Sequence, residues 1–218
     1  MLEIIEAQKI GKTAWNALVK ASPVANWFQT PEAYDFFDSL SFLDAFAFGI
    51  ENEGQLKGVV VGYVQKDGGK LKQFFSRRAI ITGGPLLAGD ITDEELSALL
   101  KVLITNLKHN AIYIEARNFN DYSRWRKVFE ECGFGYEPHY DVQVDTTSLA
   151  TVNGRLDRNR RRNIKKAMEN GLVMEDNPTL DDMKRFYAML EDLYRTKVKV
   201  PLYPMEFFMK LHELPSAP

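Results

Sequence analysis

A pattern of elements that begins twice sets the strongest constraint on the fold. A strand-like run, Leu2 to Glu6, is followed by a helix, Lys12 to Lys20, and then by the aromatic helix Pro31-Glu32-Ala33-Tyr34-Asp35-Phe36-Phe37-Asp38-Ser39-Leu40. Much later Leu172 to Asp176 reads as a strand and Leu180 to Tyr194 as a helix. Pro204-Met205-Glu206-Phe207-Phe208-Met209-Lys210-Leu211 then opens a third element on a proline with a glutamate and an aromatic pair close behind. Proline at the first helical position and an acid in the first turn are favoured starts for a helix. Leu172 lies 170 residues after Leu2, and Pro204 lies 173 after Pro31. Internal repetition at this period points to two related units in one chain. The first copy runs for roughly 145 residues and the second for only roughly 45. A strand and two helices do not bury their own apolar faces. The second copy is therefore expected to be completed by further chain or by another chain, a homodimer being one form of the latter.

Between the two beginnings the elements alternate. Ala45 to Ile50 and Leu56 to Val64 read as strands around the turn Glu51-Asn52-Glu53-Gly54. Lys70 to Ile81 reads as a strand ending at Gly83-Gly84-Pro85. Thr92 with Glu95 forms a capping-box pattern ahead of Leu96, Leu99, Leu100, Leu103 and Leu107. Ala111 to Ala116 is a buried-type strand, Tyr122 to Cys132 a helix stopped by Gly133, and Tyr140 to Asp145 a last strand. Helices interspersed among strands in this order predict an α/β fold, a mixed sheet flanked by helices.

Charge is concentrated in one place. Six cationic side chains lie between Arg158 and Lys166, in a chain whose net charge is −2. On a helical wheel Leu156, Ile164, Ala167 and Met168 share an apolar sector of about 120°, with Arg158, Arg162, Lys165, Lys166 and Glu169 opposite. Arg160 falls within the apolar sector. It either pairs with Asp157 one turn earlier or presents its planar donor fork to an anion. The near-neutral total excludes wholesale coating of nucleic acid, so phosphate contact is expected to be local.

Other chemistries find little support. His109, His139 and His212 are isolated, without metal-ligand spacing to one another or to the single Cys132, so no metal and no cofactor are expected. One cysteine excludes a disulfide framework and fits a reducing compartment. The start of the chain lacks a signal-peptide pattern, and no run approaches a membrane span. The chain reads as cytoplasmic. Glu115 and Arg117, at the end of a strand, are either cleft groups or an ion pair along that strand. Arg77 and Arg78 precede Gly83-Gly84 and are either phosphate ligands or a solvated strand end.

Four stretches carry a family resemblance: Trp27-Phe28-Gln29-Thr30-Pro31-Glu32, Gly83-Gly84-Pro85, Gly133-Phe134, and the run from Arg160-Arg161-Arg162 through Ile164-Lys165-Lys166-Ala167 to Gly171-Leu172. The first copy has the element order of the GNAT-type N-acyltransferase fold. Two such units joined by a basic helix resemble the FemAB family of aminoacyl-tRNA-dependent peptidyltransferases, which build interpeptide bridges in bacterial cell walls. The resemblance implies a GNAT-like unit over 1–147 and, over 148–218, a basic linker helix with the opening of a second unit. It implies a transferase moving an aminoacyl or acyl group onto an amine, with aminoacyl-tRNA or another acyl donor and a phosphate-bearing cell-wall precursor as partners. The family's phosphate-binding cleft lies near the junction of its units. By position, Arg160, Arg161, Arg162 and Lys165 match its basic residues, as do Arg195, Lys197 and Lys199. Tyr203 stands where family members often carry a basic residue. An acyl-CoA-dependent transferase and a non-catalytic assembly module are the alternatives, and the spacing from Arg78 to Gly83-Gly84 does not match a CoA pyrophosphate loop.

Overall fold

The computed structural model describes residues 2–65, 77–140, 142 and 144–214. The chain divides into two compact units, Met1–Glu137 with Lys210–Pro218, and Pro138–Met209.

The first unit is built on a six-stranded sheet. Its strands are β1 (Leu2–Glu6), β2 (Leu43–Asn52), β3 (Gln55–Gln65), β4 (Arg78–Gly83), β5 (Leu86–Leu87) and β6 (Tyr113–Asn118). The order is β1-β2-β3-β4-β6, with β5 paired to β3. β1 to β4 run antiparallel, and β4 and β6 are parallel. β2 and β3 are joined by Glu53-Gly54, both at positive φ. That is the two-residue hairpin turn whose twist suits the flanking strands.

Helices cover both faces, because alternate strand residues are apolar on both sides. On one face α3 (Asp93–Leu107) presents Leu96, Leu99, Leu100, Leu103 and Leu107 to Phe46, Phe48, Ile50, Val60, Val64, Ala79 and Ile81. Each leucine so buried stabilises the fold by about 2 kcal/mol. Trp125 and Val128 join this core from the turn Ser123–Trp125 and from α4 (Arg126–Glu131). On the other face α1 (Lys12–Ala21) and α2 (Pro31–Asp38) bury Trp15, Leu18, Phe36 and Phe37, and the Phe37 ring lies 4.7 Å from that of Tyr63.

The capping box expected of Thr92 and Glu95 forms. Glu95 is buried; it accepts from the Thr92 N–H at 2.8 Å and from Asn52 Nδ2 at 2.9 Å, which ties the start of α3 to the end of β2. Thr30 caps α2 through the Ala33 N–H. The expected strand over 70–81 is present from Arg78 on, and its first part, with Phe74 and Phe75, lies outside the described residues.

The second unit contains α5 (Leu149–Arg155), α6 (Arg158–Glu169), α7 (Leu180–Leu193), the π-helical turn Tyr194–Val198, and the start of α8 (Met205–His212). Ser148, Asp157 and Thr179 are their N-caps. No described residue from 138 to 209 is buried. Two expected strands are corrected here. The described residues of 140–145 and of 172–176 are not in strands, and Tyr140, Val142, Leu172, Val173 and Met174 are exposed. Alternation makes a segment able to pair, but a strand also needs a neighbour to receive its ladder bonds and a face to bury. No described helix is long and apolar enough to cross a membrane.

Candidate functional site

The parallel pair β4–β6 ends at Gly83 opposite Asn118. Beyond that point β4 turns away into β5. Three residues of β3 lie between its pairing with β4 at Tyr63 and with β5 at Val59, whereas five residues, Ile81 to Pro85, span the same interval on the other strand. The two extra residues form a bulge at Gly83-Gly84, with φ of +85° and +76°. The carboxyl ends of parallel strands where the chain parts are where ligands bind in open sheets. Bulges are common beside active sites.

Neutral amide side chains hold this fork. Gln29 is 2 % exposed, and its Nε2 donates to the Gly83 carbonyl at 3.1 Å and to the Gly84 carbonyl at 3.0 Å. Its Oε1 accepts from the Asn26 N–H, while Asn26 Oδ1 accepts from the Phe28 N–H, closing a capping box on the turn Trp27–Gln29. Trp15 Nε1 donates to the Gln29 carbonyl at 2.8 Å. Because the Gly83–Gly84 peptide is trans and its carbonyl faces Gln29, the Gly84 N–H points the other way. That N–H makes no hydrogen bond among the described residues. Asn26 packs against the α-carbon of Gly83, and Asn118 and Tyr122 pack against that of Gly84. Tyr122 donates its hydroxyl to the Pro85 carbonyl at 2.7 Å.

Burial pushes the Tyr122 phenol up to about 12, with a Gln29 hydrogen bond acting the other way. The unfolded chain ionises this group near ~10. Stability from this group is therefore complete below about pH 10 and falls as pH rises toward about 12. Tyr122→Phe is expected to flatten that fall relative to the parent, measured as urea unfolding at about pH 9 and about pH 11. An unchanged difference between the two pH values would show that this phenol is not the source.

The residues marked from sequence fall in several places. Arg117 and Glu115 pair with each other at 2.8 Å along β6, and register places both on the sheet face opposite Asn118. Arg78 binds Gln65 through two nitrogens, and the Arg77 Nε is buried without a hydrogen-bond partner among the described residues. Both stand at the start of β4, about 16 Å along the strand from the bulge. Arg160, Arg161, Arg162 and Lys165 are exposed on α6 in the second unit. The Asp157 carboxylate accepts the Arg160 backbone N–H at 2.9 Å, so it serves as the cap of the helix. Lys165 lies 3.8 Å from Glu169. The Tyr203 ring stacks on Phe207 at 4.7 Å, and its carbonyl accepts from Tyr187. The fork residues Asn26, Asn118 and Tyr122 carried no sequence signal of chemistry. Gln29 was named only within the Trp27–Glu32 motif, and the Asn26-x-x-Gln29 capping spacing is the signal that could have found it. A depression of about 380 Å³ at β1, lined by Glu3, Glu6, Lys9 and Glu51 among others, offers no comparable set of aligned donors.

No family model matches the chain, and no curated protein matches it. Among solved structures, FemX is similar over 97 % of this chain and 54 % of its own, with a TM-score of 0.62 at 17 % identity. An aminoglycoside N-acetyltransferase in complex with CoA is similar over 67 % of this chain and 95 % of its own (TM-score 0.45, 12 % identity). The glucosamine-6-phosphate N-acetyltransferase of Arabidopsis thaliana covers 66 % and 97 % (TM-score 0.44, 12 % identity). The chain thus has the fold of FemX, with the mixed sheet flanked by helices expected from its sequence. It spans about half the length of FemX.

Proposed function

We propose that this chain belongs to an N-acyltransferase of the FemAB type, which moves an aminoacyl or acyl group onto an amine at the fork of β4 and β6. The bulge carries this reading. Gln29 draws two successive carbonyls to one side and leaves the Gly84 N–H unengaged on the other. A fixed backbone donor of this kind stabilises the oxyanion that develops when an amine attacks an ester carbonyl. The C–N bond forms, the C–O bond to the leaving alcohol breaks, and the proton lost by the amine ends on that alcohol. Tyr122 keeps its proton at neutral pH and spends it on Pro85. The fork therefore supplies position and a donor, and the acyl group must arrive already activated.

The cationic stripe on α6 is the phosphate-binding element of this reading, for a charged tRNA or a nucleotide-linked cell-wall precursor in the cytoplasm. Among the described residues no carboxylate pairs with Arg158, Arg160, Arg161, Arg162 or Lys166. If α6 contacts phosphate, Arg160→Ala should weaken binding of unfractionated tRNA and lower its salt slope by about one. An unchanged slope would show that α6 does not bind phosphate. The direct test supplies radiolabelled charged tRNA, or labelled acyl-CoA, together with a nucleotide-linked muropeptide amine. Label from tRNA in an alkali-stable amide supports the proposal. Label from CoA alone makes this a CoA-dependent transferase, and none from either overturns the reading.

A further inference from the structure

Beside the fork the loop Val24–Phe28 and the loop Asn118–Tyr122 form a continuous apolar rim. The Phe28 ring lies 5.4 Å from Trp27 and 6.0 Å from Phe119, edge to face in both cases, and stacks at 6.5 Å on Phe37 of the core. Trp27 and Phe119 are each 37 % exposed and Val24 is 46 % exposed. Scattered exposed apolar residues are ordinary, whereas a contiguous patch next to a site marks a ligand surface.

Three observations identify the occupant. The rim shares its backbone with the fork: Asn26 and Gln29 bracket Trp27-Phe28, and Asn118 precedes Phe119. The two loops carry no cation and a single carboxylate, Asp121, which accepts the Ser123 N–H at 2.8 Å. It is also held in place before any ligand arrives. Asn120 Nδ2 staples the two loops at the Val24 carbonyl, 3.0 Å away, and the capping box fixes the turn. A preformed aromatic surface loses little freedom on binding. A charged side chain would be desolvated there without a partner.

We propose that Val24, Trp27, Phe28 and Phe119 bind the side chain of the group transferred at the fork, and that they select an apolar or aromatic one. This rests on the reading of the fork as an acyl-transfer site. The carbonyl would lie at Gly84 and the side chain against the rim.

Trp27 reports on its own surroundings, because Trp15 and Trp125, the other two tryptophans, are buried. The probes are N-acetyl-L-phenylalaninamide and N-acetylglycinamide, read as protection of tryptophan fluorescence from acrylamide. The phenylalanine probe should protect saturably with a Kd at least about tenfold below that of the glycine probe. Trp27→Phe should abolish the signal, and Phe119→Ala should raise the Kd about tenfold. Equal affinities overturn the proposal, as does protection that Phe119→Ala leaves unchanged. The wild-type comparison decides alone if a variant fails to fold. Label transfer indifferent to the side chain would leave the fork reading standing and remove the rim. Saturable binding by a protein that transfers from no donor would overturn both.

Discussion

Replacing Gln29 by methionine is expected to lower the free energy of unfolding by about 3 kcal/mol while nearly preserving side-chain volume. The side chain is buried and its amide serves the Gly83 carbonyl, the Gly84 carbonyl and the Asn26 N–H. Methionine fills the space and satisfies none of them. A buried polar group without a partner costs about 1–3 kcal/mol. The two carbonyls would turn to find other donors and the Gly84 N–H would turn with them, since the peptide plane is rigid. Transfer activity should therefore fall by about a hundredfold, as when one oxyanion donor is lost. Urea unfolding and single-turnover transfer measure the two effects. A variant within about 0.5 kcal/mol of the parent would show that the bulge holds its shape without Gln29.

Gly84→Ala is expected to cost as much by another route. At φ +76° any β-carbon is strained, by about 1–2 kcal/mol. At this position it would also drive into Asn118 Oδ1, well inside van der Waals contact, and crowd the ring of Tyr122. The sum is about 3 kcal/mol, with loss of transfer. The Asn118→Ala background separates the two causes. Removing that side chain should return about half of the cost and leave the strain, an interaction of at least 1 kcal/mol in a double-mutant cycle. Strict additivity would mean that the collision is relieved by backbone movement.

Sequence reasoning succeeded where structure is local. Thr92 and Glu95, Pro31 with Glu32, and the stop at Gly133 act within a turn of themselves, and the runs of β2, β3 and α3 display their periods openly. It failed at the described residues of 140–145, which alternate, and at 172–176, which open on an apolar run, because no described strand pairs with either. The site was hard to read for the same reason. Gln29 meets Gly83 across 54 residues, and a neutral amide shows none of the chemistry that marks a histidine or a paired carboxylate. Gly83-Gly84 read either as an ordinary turn or as backbone amides aimed at an anion, and what separates the two lies in the register of β3. Glu115 and Arg117 were visible as charges, and the structure shows them paired with each other.

That no described residue between 138 and 209 is buried bears on how this region breathes. Helices of 7 and 12 residues, held by caps and near-neighbour ion pairs, are marginal on their own, and the 14-residue helix adds the ring contacts of Phe186 and Tyr187 with Phe208. Their amides should exchange with deuterium through local opening within seconds to minutes, while those of β2, β3 and α3 wait for global unfolding. A polyanion that settles on α6 would then be recorded as slowed exchange in this region and none in the sheet, so that recognition and ordering become a single event.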